Sequence, residues 1–268
     1  MDRSLMKIAV YGPGRAGGAL ALAASRVGHE ITSVDGRDVA RARALGEEVG
    51  TTGGTPELLI IALTDDALVD AFEIVGGDAV PPAVVHVSGA VSTAVLDPFK
   101  GVGAHTGGFH PLQTFPDSHT GAAQLAGSHV AVTAQSALME MLFGLAESLG
   151  CVPFEITDDL KPLYHAAAAA SANYTLAALG VAKDLYDAAG VDFTAARPLV
   201  QSIIDNAFEI GPDRALTGPI ARGDIATVES QLAAVAKQAP ELLDAFTSLA
   251  RVTAEMAGTE AEFSEVLS

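Results

Sequence analysis

The chain has 268 residues, enough for one large or two small domains at roughly 150 residues each. Its 15 basic and 33 acidic residues leave a net charge of −18, which argues against a broad basic footprint for nucleic acid or anionic lipid but still allows a local pocket for one phosphate. With 49% hydrophobic and 18% charged residues the chain can bury a core, and its single cysteine, Cys151, rules out an internal disulfide and fits a reducing, cytoplasmic compartment.

The first half alternates strand and helix patterns. Residues 7–11 form a short apolar strand, followed by glycines and an alanine-rich helix over 15–27. The next strand is 30–34 and the next helix 39–49. The uninterrupted apolar run 58–63 reads as a strand buried on both faces of a parallel sheet. Thr64-Asp65-Asp66 then opens a helix through Val75. Residues 83–87 form a fourth strand, and 102–105 and 129–132 weaker fifth and sixth strands. A helix over 136–149 and a last strand over 152–156 complete the pattern. Such repeated units predict an α/β fold with a doubly wound parallel Rossmann sheet.

After Ile156 only helical patterns follow, over 160–189, 193–210, 225–237 and 240–256. The expected organisation is a dinucleotide-binding domain over 1–156 and an all-α domain over 157–268. The run Ala166 to Ala170 gives a small-residue helix surface suited to close packing, within the domain or across a dimer interface. No apolar run reaches the roughly 18–20 residues that span a bilayer. The alanine-rich stretch after Arg15 follows a strand and a glycine turn, so it does not read as a signal peptide. Asn173-Tyr174-Thr175 matches the glycosylation pattern and is read as chance.

Gly12-Pro13-Gly14-Arg15-Ala16-Gly17 fits G-x-G-x-x-G between a strand and a helix, which is the context the motif requires. Gly12 permits the tight turn, Gly14 lets a pyrophosphate approach the backbone, and Gly17 lets helix and strand pack closely. Free amides at the helix start, from Arg15 and Ala16 onward, favour the phosphate. Asp35 follows the second strand, 18 residues after Gly17 and close to the expected spacing, placed for a ribose hydroxyl. Arg37, with Arg41 and Arg43 near, suits the extra phosphate of NADP, so NADP is favoured over NAD; Gly36 is read as leaving room for that phosphate. Thr64 and Ser88 stand at the carboxyl ends of the third and fourth strands, where ligands bind in open parallel sheets. Thr64 also reads as a helix cap.

Chemistry is sought in the second half. Lys161 and His165 share a helix face, and Asn173 lies roughly 80° further round. Together they offer a proton donor, a charge stabiliser and an orienter, or else a surface lysine, a half-buried histidine and a packed asparagine. His110 is expected in a loop stiffened by Pro111, facing the cofactor or solvent. The segment 216–224 is either a turn with Asp224 as cap or a loop carrying Thr217 and Arg222 into a cleft. His86, His105 and His110 lack a recognisable metal-ligand spacing, so no metal is expected. Cys151 reads as core.

These motifs resemble one group of proteins. Gly12 to Gly18, His86-Val87-Ser88-Gly89-Ala90, His110-Pro111-Leu112, Lys161 through His165 with Ser171-Ala172-Asn173, and Leu216 to Asp224 are similar to Rossmann-like proteins with an uncharacterised helical C-terminal domain. These in turn resemble the 6-phosphogluconate dehydrogenase-like and pyrroline-carboxylate reductase-like oxidoreductases. The resemblance implies a homodimer built through the helical domain. It also implies NADPH-dependent reduction of a small 2-oxo acid, as in ketopantoate reduction, with Lys161 as catalytic lysine. Many relatives carry asparagine where this chain has His165, which leaves the proton donor open between Lys161 and His165. An imine or pyrroline reductase and a non-catalytic dinucleotide-binding regulator are the alternatives.

Overall fold

The structure is a computed structural model and describes residues 5–76 and 80–268. By internal contacts the chain divides into two compact units, Met1–Ala169 and Ala170–Ser268. This division falls later than the change of sequence character near Thr157. The reason is that Lys161 and Tyr164 are hydrogen-bonded to Val91 and His110 of the first unit.

The first unit is a seven-stranded sheet of β1 (Lys7–Tyr11), β2 (Glu30–Asp35), β3 (Leu58–Ile61), β4 (Ala83–His86), β5 (His105–Pro111), β6 (His129–Thr133) and β7 (Val152–Glu155), in the order β2-β1-β3-β4-β5-β6-β7. Neighbouring strands are parallel except β5 and β6. The sheet is the expected mostly parallel one with a single antiparallel pair, because the chain leaves β5 and re-enters β6 at the same sheet end.

The fifth strand also corrects the sequence reading. It begins where the predicted strand ends, and it carries His110, which is not in a loop. Gly107 and Gly108 lie within this strand. Here a side chain at Gly107 would meet the Thr133 carbonyl at 2.7 Å, and one at Gly108 the Lys161 amine at 2.8 Å. Both glycines are thus strand residues kept small by close neighbours.

Around the sheet lie α1 (Arg15–Arg26), α2 (Val39–Val49), α3 (Asp65–Leu68), α4 (Ala71–Val75), α5 (Asp97–Gly101), α6 (Ser118–Gln124), α7 (Ser136–Ser148) and α8 (Lys161–Ala169). Period-two alternation sends Ile8, Val10, Leu58, Ile60 and Val85 to one face, against the alanines of α1 and Leu142 of α7. Ala9, Leu59, Ile61 and Val84 face the other way, against Leu68, Leu96 and Phe99. Each fully buried Leu, Ile or Phe contributes about 1.5–3 kcal/mol. Cys151 is core, its thiol on the Leu125 carbonyl at 3.3 Å.

The second unit starts with a π-helical turn, Ala170–Tyr174, and continues through α9 (Thr175–Ala188), α10 (Arg197–Ile210), α11 (Pro212–Ala215), α12 (Ile225–Gln238), α13 (Leu243–Ala257) and α14 (Glu260–Phe263). Its core is small: Val228, Ala250, Ala254, Phe263 and Leu267. α9 and α10 bury no residue at all. Among the described residues no helix is long and apolar enough to cross a membrane.

Candidate active site

The strand order reverses at β1, between β2 and β3, and the glycine turn follows β1 at its carboxyl end. Gly12 has φ +105°, and a Cβ there would lie 2.3 Å from the Ala62 carbonyl oxygen. A Cβ on Gly17 would lie 2.2 Å from the Gly12 carbonyl oxygen. Both glycines are steric necessities of the turn. Gly14 is different, for a Cβ there meets nothing within 4 Å. It is the open side of the turn, and no side chain caps α1 behind it. The Gly18 amide reaches the Gly14 carbonyl, which leaves the Arg15, Ala16 and Gly17 amides without intrahelical acceptors. This cradle fits a dinucleotide pyrophosphate.

The other residues expected at a dinucleotide lie as follows. Asp35 is exposed at the end of β2 and lines, with Tyr11, Ser33 and Gly36, a groove of about 580 Å³. Arg37 and Arg41 are exposed at the start of α2, while Arg43 is engaged by Glu47 at 2.9 Å. Gly36 is small for another reason than the one expected. Its Cβ position is filled by Pro13, at 2.3 Å, so the residue joins the β2 end to the glycine turn and does not clear space for a phosphate. Thr64 takes the N-cap position of α3, exposed, without a side-chain cap bond.

The loop after β4 is latched from several sides. The Ser88 hydroxyl accepts the Ala90 and Val91 amides at 3.2 and 3.0 Å, and the Ser88 amide donates to His86 Nδ1 at 3.1 Å. Lys161 Nζ donates to the Val91 carbonyl at 2.8 Å and lies 3.4 Å from Asp158 Oδ1. Asp158 in turn accepts the amide and hydroxyl of Thr93 at 2.8 and 2.6 Å. Lys161 is only 2% exposed, and this burial lowers its pKa against the attraction of Asp158. Burial alone would raise Asp158, but the Thr93 hydrogen bonds and the Lys161 charge hold it below its ordinary value. His86 is fully buried, and burial with the Lys161 charge pushes it down to about 3. Among the described residues its Nε2 has no hydrogen-bond partner, although the Ser92 backbone favours the protonated ring.

Two histidines converge on Gly89. A Cβ there would lie 2.8 Å from His110 Nε2 and 2.9 Å from His165 Nδ1. Their rings meet edge to face, with centroids 6.1 Å apart. His110 Nδ1 pairs with the Tyr164 hydroxyl at 2.9 Å. Burial first, then the charges of His165 and Lys161, push His110 down to about 4, and burial pushes Tyr164 up to about 12. At neutral pH the His110–Tyr164 pair is therefore uncharged. His165 is exposed on α8, one residue beyond Tyr164.

The first unit thus gathers Ser88, His110, Lys161 and His165, together with Tyr164, which the sequence reading passes over. Tyr164 carries no periodic signal, since its partner lies 54 positions upstream on another strand. Asn173, Thr217 and Arg222 belong to the second unit. Asn173 falls in the π-helical turn, so the α-helical angle from His165 does not carry to it. Thr217 and Arg222 are exposed. The 216–224 segment closes on Gly223 in the left-handed region, and Asp224 caps α12 by accepting the Thr227 amide at 3.1 Å. Among the described residues no three His, Cys, Asp or Glu side chains are grouped to hold a metal ion.

The likeness to known structures agrees with this geometry. A structure from Bacteroides fragilis, named as a candidate NADP oxidoreductase, is 24% identical with a TM-score of 0.78, covering 94% of this chain and 98% of its own. An imine reductase of Streptomyces aurantiacus is 19% identical with a TM-score of 0.66, over 96% of this chain and 99% of its own. A reductive aminase of Aspergillus terreus, in complex with NADPH and ethyl-5-oxohexanoate, is 18% identical with a TM-score of 0.60, over 97% and 90%. These likenesses show the fold, a Rossmann-type sheet followed by helices. Residues 128–253, just under half of the chain, match the model of a family described as a domain of unknown function, DUF2520. Comparison with curated proteins gives no match.

Proposed function

We propose that the protein is an NADP-dependent reductase of a small carbonyl compound, with a 2-oxo acid of the ketopantoate type as the substrate class. One observation carries this reading: the open glycine cradle at the end of β1 and a pair of histidines above Gly89 belong to the same sheet unit. Names of similar structures support the nicotinamide part, since the Bacteroides relative is named for NADP and the Aspergillus enzyme holds NADPH.

Gly14 and the amides of Arg15, Ala16 and Gly17 would hold the pyrophosphate, Asp35 a ribose hydroxyl, and Arg37 with Arg41 the extra phosphate. The bound nicotinamide supplies hydride. Ser88 shapes the loop beside it through its two amide contacts. Of the two proton donors left open by the sequence, His165 suits the role better. Its imidazole is exposed over Gly89, whereas Lys161 is enclosed by a carbonyl and a carboxylate. Lys161 then acts by holding the Val91 carbonyl and, through Asp158, Thr93.

The test is NADPH consumption by the purified protein against a panel of 2-oxo acids and cyclic imines. Turnover of an acid supports the reading, and NADPH binding without turnover of any acid sinks it. An imine reductase is the second reading, favoured by the relatives named as imine reductase and reductive aminase. Alanine variants of Asn173, Thr217 and Arg222 in the same assay test their roles as orienter and substrate contacts. A homodimer through the helical unit is part of the proposal: α9 and α10 bury nothing, and Leu199, Ile203, Ile204 and Phe208 of α10 are all exposed.

A further inference from the structure

We propose that Tyr164 fixes the tautomer of His110, so that His110 presents an Nε2–H donor above Gly89 and selects an acceptor whose oxygen gains negative charge, a carbonyl rather than an iminium ion. The tautomer half stands on geometry and donor strength; the acceptor half rests on the reductase reading above.

The phenol decides the tautomer. His110 Nδ1 and the Tyr164 hydroxyl are 2.9 Å apart, and one of them must donate. Among the described residues the Tyr164 hydroxyl has no other hydrogen-bond partner. Either arrangement leaves one donor without a protein acceptor among the described residues, the phenol O–H or the Nε2–H, so donor strength decides. A phenol O–H is a stronger acid, and a stronger donor, than a neutral imidazole N–H, and the imidazole nitrogen is the stronger acceptor. The phenol therefore donates and Nδ1 is the acceptor. The imidazole proton then sits on Nε2, the atom 2.8 Å from the position a Gly89 side chain would occupy. Glycine keeps that position clear, with His165 Nδ1 on its other side at 2.9 Å.

The surrounding charge favours an oxygen acceptor. After burial, the influence of His165 and then of Lys161 on α8 disfavours positive charge on the His110 ring. Asp158 is occupied by Lys161 and Thr93, and Asp65 at the start of α3 has the least influence on the ring. A substrate cation would meet like charge here, whereas a developing alkoxide meets an N–H donor. For a carbonyl, a bound reduced nicotinamide would supply the hydride to the carbonyl carbon and would itself be oxidised. The C=O π pair moves to oxygen, which the Nε2–H holds. That oxygen takes a proton from His165, and water returns it.

Tyr164 is a positioning residue here, so its test needs a signal other than rate. Protein labelled with ¹⁵N-histidine gives long-range ¹⁵N–¹H spectra that distinguish the tautomers, with His110→Gln assigning the ring. The expected result is an unprotonated Nδ1 and a protonated Nε2 in the wild type, changing to a mixture in Tyr164→Phe. A wild-type Nδ1–H tautomer, or a Tyr164→Phe spectrum identical to wild type, overturns the tautomer assignment. Kinetics test the other half. Tyr164→Phe is expected to lower kcat for a 2-oxo acid about tenfold with KM and NADPH affinity within about twofold, and His110→Ala to lower kcat about 10²-fold. Cyclic imines are expected to be turned over at least about 10²-fold less efficiently than the acid, and a preference for the imine overturns the acceptor assignment. Turnover of neither compound, with the Nε2–H tautomer present, refutes the reductase reading and the acceptor assignment with it while upholding the tautomer.

Discussion

Alanine at Gly14 and alanine at Gly12 are expected to act in opposite ways. Gly14 has φ −74° and ψ −167°, an extended conformation open to any residue, and its Cβ would meet no atom within 4 Å. Alanine is a poorer N-cap than glycine by about 0.5–1 kcal/mol, which the lower entropy of the unfolded chain offsets by about 0.4–1 kcal/mol. The stability of Gly14→Ala is therefore expected within about 0.5 kcal/mol of wild type. The added methyl, however, stands where a phosphate must approach the amides of Arg15 to Gly17. Loss of one charge-assisted hydrogen bond there costs about 1.5–3 kcal/mol, or about 10- to 100-fold in the NADPH dissociation constant. Gly12→Ala meets both a positive φ and a carbonyl oxygen at 2.3 Å, so it is expected to lose about 2–5 kcal/mol of stability. Urea denaturation followed by circular dichroism measures the first effect, and fluorescence titration with NADPH the second. Wild-type NADPH affinity in Gly14→Ala would refute the phosphate placement. A Gly14→Ala protein as unstable as Gly12→Ala would refute the packing argument.

Other expectations follow from single features. Burial holds His29, His86 and His110 below their ordinary 6.5, the last two at about 3 and about 4, so below pH 6.5 the unfolded chain binds more protons than the native one. Stability is then full above pH 6.5 and declines as the pH falls toward those values, by up to about 1.4 kcal/mol per pH unit for each ring. Urea midpoints that stay level from pH 7 to pH 5 would contradict this. Arg37→Ala with Arg41→Ala is expected to weaken NADPH binding by about tenfold or more and to leave NADH binding unchanged; equal losses for both would show that the arginines do not read the extra phosphate. Phe208 is 90% exposed on a helix that buries nothing, and Phe208→Glu is expected to convert a dimer to a monomer in light scattering. A wild-type protein that is already monomeric would remove the basis for that interface.

The glycine turn is legible in the sequence because its requirements are local. Strand, turn and helix follow one another, and Gly12 and Gly17 answer to neighbours in the turn and at Ala62. Asp35, Arg37 and the buried apolar run of β3 are legible for the same reason: period and spacing place them on strands and strand ends. What stays hidden is everything set by pairing between distant segments. Gly107 and Gly108 sit close against the Thr133 carbonyl and the Lys161 amine within β5, and His110 lies on that strand and not in the expected loop. Lys161 looks like an open proton donor on a helix face, yet tertiary contacts enclose its amine with Val91 and Asp158 and leave His165 over Gly89. Tyr164 gains its meaning only from His110, on the far strand. Local sterics and periodicity thus specify the sheet and its glycine turn. The chemical identity of each polar side chain depends on burial and partners, and those exist only once the chain has packed.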